Sequence, residues 1–118
     1  MRRQKDFPKT LVIGKSTWTV RWRRKIDHPE FGDCRGLCTF GTKTIEIVLG
    51  QTPKERAATF VHEILHALSH EHNIPWLDTE NGHKKIYDLE RPLAEVFFLN
   101  SWITWVNGDP PDYEAESA

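Results

Sequence analysis

The chain has 118 residues, of which 38% are hydrophobic and 28% charged, and 16 basic against 17 acidic residues leave a formal net charge of −1. That length suffices for one domain with its own core, without a framework of disulfides. The charge balance argues against bulk electrostatic binding to nucleic acid or membrane, and no apolar run reaches the length of a bilayer span.

Residues 1–9 read as a polar N-terminal segment. Its basic residues have no apolar stretch behind them, so they do not form a secretory signal. With only Cys34 and Cys38, both expected as free thiols rather than a metal half-site or a disulfide, the simplest compartment is a reducing cytoplasm. Leu11, Val12 and Ile13 make a short strand, and Gly14, Lys15 and Ser16 make a turn. Trp18, Val20 and Trp22 then alternate with Thr17, Thr19, Arg21 and Arg23, the period of a half-buried strand. Arg21, Arg23, Arg24 and Lys25 are expected on its solvent face, in preference to a nucleic-acid contact. Residues 26–36, with a proline and two glycines, read as a loop. A hairpin follows, Leu37–Phe40 and Lys43–Leu49, with Ile45, Ile47 and Leu49 on one face.

Thr52 is placed to cap a helix, with Pro53 at the first helical position and Glu55 completing a capping box. The helix is predicted from Pro53 to about His72, where Asn73 and Pro75 stop it. After a loop over 73–80, a second helical region is predicted from about Asn81 to Val106. Its expected buried side is Ile86, Leu89, Leu93, Val96, Phe97, Trp102 and Trp105, and Pro92 is expected to kink or restart it. Trp76 falls in the loop between the helices. Residues 107–118 read as a flexible acidic tail, so the single domain is 10–106. The expected class is α+β: a small, mostly antiparallel sheet packed on one helix and followed by a second.

The first helix carries His62-Glu63-Ile64-Leu65-His66. A spacing of four puts both imidazoles on one face, where they can take two corners of a tetrahedral zinc site. Glu63 lies about 100° around the helix, flanking the ion without binding it. There it can act as general base toward a metal-activated water. A catalytic zinc keeps three protein ligands and one open position. The third ligand is expected from the second helix. Glu90 leads the candidates, followed by His83 and Glu95, with Asp88 weaker. His70 continues the helical series but reads as a solvated helix-end residue near the C-terminal dipole, and His72 as a residue capping the last turn.

The His-Glu-Ile-Leu-His-Ala stretch resembles the zincin metallopeptidase signature. The strand KTIEIVL before it and the segment LERPLAEVFF after it resemble small gluzincin-type peptidases often encoded by phages, distant relatives of the ImmA/IrrE metallopeptidases. The resemblance spans roughly residues 10–105 and implies a minimal zincin-like fold. It also implies a Zn2+ cofactor held by His62, His66 and Glu90, and peptide-bond hydrolysis with Glu63 as base. The localisation it implies is a host cytoplasm. GHKKIY, around His83, resembles the SprT-like family, whose third ligand is a histidine. A peptide or protein substrate is expected to lie beside an edge strand, for which Lys43–Leu49 is the candidate. An oxyanion donor is sought among Tyr87, His83 and His70. The competing reading is a non-catalytic, zinc-stabilised interaction or regulatory module, possibly associated with nucleic acid. A closed structural site has no need of a base such as Glu63, so the enzyme is favoured.

Overall fold

A computed structural model describes residues 7–30, 32–74 and 79–99. The expectations for Trp76, Trp102, Trp105, most of the N-terminal segment and the acidic tail fall outside these residues. The elements in chain order are β1 (Thr10–Ile13), β2 (Ser16–Arg23), β3 (Ile26–His28), β4 (Gly32–Cys34), β5 (Gly36–Thr39), β6 (Thr44–Val48), α1 (Pro53–His72) and α2 (Glu80–Leu99). The class is α+β, as expected.

The main sheet has the order β1-β2-β6-β5. β1 and β2 are antiparallel, as are β5 and β6, but β2 and β6 run parallel, with Val20 opposite Ile45 and Trp22 opposite Ile47. The sheet is therefore mixed: two of its three pairings are antiparallel, in line with the mostly antiparallel sheet expected, and the third is parallel. Parallel neighbours need a long crossover, and the chain between β2 and β6 supplies one that contains β3, β4 and β5. Much of the predicted 26–36 loop forms the small β3–β4 hairpin, with Ile26 opposite Cys34. β6 lies between β2 and β5, so the Lys43–Leu49 strand is not the sheet edge. Among the described residues the edge strands are β1 and β5, and both meet α1.

The alternation in β2 does what its period requires. Trp18, Val20 and Trp22 are buried, and Ile45 and Ile47 of β6 join them in one core with Ala57, Ala58, Phe60 and Val61 of α1. Trp22 stacks on Phe60 at 5.9 Å between ring centroids. On the opposite face Arg21 is exposed and Arg23 pairs with Glu46. Two large indoles between sheet and helix fix the depth of α1, and with it the position of the residues that α1 displays.

α1 begins as its sequence dictates. Thr52 Oγ1 accepts from the Glu55 amide at 3.2 Å, and Glu55 Oε1 accepts from the Thr52 amide at 3.2 Å. It ends at Asn73, whose left-handed conformation (φ 52°) turns the chain away. The C-terminal end of α1 is tied to the sheet through Glu71. That carboxylate accepts from Ser16 Oγ at 3.0 Å, the Trp18 indole at 2.9 Å and Lys43 Nζ at 2.9 Å. Chiefly through the Lys43 hydrogen bond, its pKa is lowered to about 2. A carboxylate depressed on folding contributes stability above its ordinary pKa of 4.5 and loses it as the pH falls toward 2. Glu71→Gln is therefore expected to lower the thermal midpoint at pH 7 and to flatten the acid limb between those limits. Thermal melts at stepped pH measure both effects.

α2 starts one residue earlier than predicted. Thr79 caps it: Thr79 Oγ1 accepts from the Gly82 amide at 3.0 Å, and the Thr79 carbonyl accepts from the His83 amide at 2.8 Å. The helix continues through Pro92 without a restart. Pro92 and Asp88 are exposed, so the carbonyl that proline leaves without its helical partner lies on the wet side. Ile86 and Ala94 are buried and Leu93 and Phe97 pack on the core, while Leu89 and Val96, expected inside, are exposed. Among the described residues no helix is long and apolar enough to cross a membrane.

Candidate metal centre

α1 and α2 pack against each other beside β5, and between them lies a cleft of about 920 Å³. From α1 it receives Thr59, His62, Glu63 and His66; from α2, His83, Tyr87 and Glu90. The spacings account for the convergence. His62 and His66 are one turn apart. His83, Tyr87 and Glu90 lie at positions i, i+4 and i+7, which is one helical face.

Three imidazoles meet in this cleft. His62 Nε2 lies 3.3 Å from His66 Nε2 and 3.3 Å from His83 Nε2. One ring nitrogen from each of the three lies within 4.8 Å of the others. Two nitrogens bound to one tetrahedral zinc at 2.0–2.1 Å stand about 3.3 Å apart. The separations of His62 Nε2 from His66 Nε2 and from His83 Nε2 match that figure, and the third pair closes to within 4.8 Å, so the donor set can hold a zinc ion between His62, His66 and His83.

Glu90, expected as the third ligand, is placed elsewhere. Its Oε1 lies 2.8 Å from His62 Nδ1, on the other side of that ring from Nε2. The buried carboxylate accepts the Nδ1 proton and so leaves the Nε2 lone pair of His62 facing the cleft. This is how an outer carboxylate fixes tautomer and orientation of a ligating histidine. Burial lowers the pKa of His62, opposed by Glu90, which favours the neutral ring that a metal needs. Glu90 lines the cleft on the Nδ1 side of His62, whereas His83, the second candidate, meets Nε2. Glu95 and Asp88 are exposed and do not line the cleft.

Glu63 is buried at the cleft wall beside His62. Among the described residues nothing hydrogen-bonds its carboxylate. Burial, with a smaller contribution from the Glu90 charge, raises its pKa to about 8. A carboxyl whose pKa rises on folding costs stability once the unfolded chain ionises, and the cost grows from pH 4.5 to about 8. In the metal-free protein Glu63→Gln is therefore expected to raise the thermal midpoint at pH 8 and to change it little at pH 4.5. A midpoint that falls at pH 8 would contradict the placement.

Of the three candidate oxyanion donors, His83 belongs to the imidazole cluster. His70 stacks on Phe40 at 4.5 Å. Tyr87 remains: its ring lies 4.9 Å from His62 and 4.8 Å from His83, and the residue is 54% exposed. Cys34 and Cys38 line the same cleft and form no disulfide. Burial is the first cause that raises the Cys34 pKa, followed by the Asp33 and Glu63 charges, so that thiol is not activated.

No known protein family matches the chain, and no curated protein or solved structure matches it either.

Proposed function

We propose that the protein is a zinc-dependent hydrolase of peptide bonds with a minimal zincin-like architecture. The observation that carries this reading is the convergence of three imidazoles, with His62 Nε2 at tetrahedral-zinc spacing from the Nε2 atoms of both His66 and His83 and one nitrogen of each within 4.8 Å of the others, beside the buried carboxylate of Glu63. Three ligands leave one corner of a tetrahedron open, which is the signature of a catalytic rather than a structural zinc.

Bound there, zinc supplies Lewis acidity, polarising a carbonyl and lowering the pKa of a water to about 7. The chain's own residues do the rest. His62, His66 and His83 fix the geometry, and Glu90 holds the His62 ring in place. Glu63 takes the proton of the attacking water and hands it to the departing amine. Its carboxylate is buried and makes no hydrogen bond to the described residues, which suits that transfer. The Tyr87 phenol stands beside His62 and His83 and is the available side-chain donor to a developing oxyanion. An extended peptide is accommodated along β5, whose outer edge has no strand neighbour among the described residues and which lines the cleft.

A pool of internally quenched fluorogenic peptides tests the reading. The zinc-loaded protein is expected to cleave members of the pool. Chelation should abolish cleavage and one equivalent of zinc should restore it. A loaded, folded protein that cleaves no peptide in the pool would overturn the reading.

A further inference from the structure

We propose that Gly36, the first residue of β5, is a positioning residue for Glu63: its missing side chain is the space in which the carboxylate stands. The claim rests on the peptidase reading above.

A β-carbon built on Gly36 would lie 2.6 Å from Thr59 Cγ2, 2.8 Å from Glu63 Oε2 and 3.1 Å from Glu63 Cγ. Distances below about 3.0 Å are not tolerated between such atoms. Glycine is therefore required at this point by close approach, which is one of its uses within a strand. Backbone conformation does not require it, because φ at Gly36 is not in the left-handed region. Opposite it on β6 is Ile47, a fully buried core residue, and this pairing ties the start of β5 to the sheet.

The two obstructing groups differ in what they can do. The Thr59 methyl is fixed: its side chain is short and branched, and its Oγ1 is held 2.7 Å from Gln51 Oε1. The Glu63 carboxylate is the free end of a longer side chain, with no hydrogen bond to the described residues to restrain it. A methyl group at position 36 thus displaces the carboxylate, and the clash with the Thr59 methyl, nearer still, is left for the backbone to absorb. The three atoms nearest this methyl belong to Thr59 and Glu63, and none belongs to an imidazole. The first residue of the edge strand consequently sets where the base stands, without touching the metal ligands.

The test compares wild type, Gly36→Ala and the pair Gly36→Ala with Thr59→Ser. Serine keeps the hydroxyl toward Gln51 and removes the methyl. Each is measured for zinc affinity by chelator competition, thermal midpoint, peptide hydrolysis, and binding of acetohydroxamic acid to the zinc-loaded protein. Gly36→Ala is expected to keep zinc affinity within about twofold of wild type. It should lower kcat about 10²-fold at little change in KM, the cost of a displacement near 1 Å. Acetohydroxamate, whose hydroxyl donates to Glu63, should bind about tenfold more weakly. The double variant should recover the thermal midpoint but neither the rate nor the hydroxamate affinity, because the new β-carbon still stands 2.8 Å from the native position of Oε2, too close for the carboxylate to stay there. If Gly36→Ala alone does not fold, the double variant carries the comparison.

Wild-type rate and hydroxamate affinity in either variant would overturn the proposal. So would a double variant that regains rate and stability together, since the effect would then be structural. A wild-type protein that binds zinc but neither hydrolyses peptides nor takes up acetohydroxamate removes the peptidase reading itself, and this proposal with it.

Discussion

Glu63→Gln is expected to lower peptide hydrolysis by roughly 10²–10⁴-fold, the usual share of a positioned general base, with zinc still bound. Glutamine has nearly the shape of glutamate and cannot take up a proton. Glu63 makes no contact that would hold a ligand ring, and Glu90, not Glu63, anchors His62. The metal should therefore remain while turnover fails. The same substitution is expected to stabilise the metal-free protein at pH 8, because it removes a buried carboxylate whose pKa is raised to about 8. Loss of activity together with gain of stability is what separates a base from a structural residue here. A variant that loses zinc, or keeps wild-type turnover, would remove Glu63 from that role.

The second large effect concerns the third ligand. His83→Ala is expected to cost more zinc affinity than Glu90→Ala. Removing the His83 ring takes away one of three donors. Removing the Glu90 carboxylate leaves all three donors but frees the His62 Nδ1 proton inside a buried site. Outer-shell changes of that kind cost about 10–100-fold in metal affinity, and loss of a donor should exceed that range. Glu90→Gln keeps an acceptor toward Nδ1 and should recover part of the loss. Isothermal titration with a competing chelator gives all three constants. The reverse order, with Glu90→Ala the more damaging and His83→Ala nearly silent, would make Glu90 the ligand.

Much of this arrangement was legible in the residues because it depends on local spacing. Thr52, Pro53 and Glu55 announce where α1 begins, Asn73 where it ends, and the interval between His62 and His66 sets their shared face. The alternation of Trp18, Val20 and Trp22 reports which side of β2 is buried. What could not be read depends on how distant segments meet. His83 and Glu90 are two turns apart on one face of α2, so both point toward α1. Only the register between the helices decides which of them reaches Nε2 of His62 and which reaches Nδ1. The parallel pairing of β2 with β6 joins residues more than twenty apart, and alternation within a strand says nothing about its neighbour. The wrong edge strand followed from that. Gly36 gave a signal, a glycine just before an apolar strand, but it reads equally as loop punctuation until the carboxylate beside it is known. Leu89 and Val96 fit a helical stripe in sequence, yet α2 meets the rest of the described molecule along a narrower face.

The most direct measurement is anomalous diffraction at the zinc edge from crystals grown with one equivalent of zinc. A single strong peak about 2.0–2.1 Å from a ring nitrogen of each of His62, His66 and His83 is predicted, with Glu90 still on His62 Nδ1. No peak in this cleft, or a peak bound by Glu90 with His83 turned away, would contradict the account.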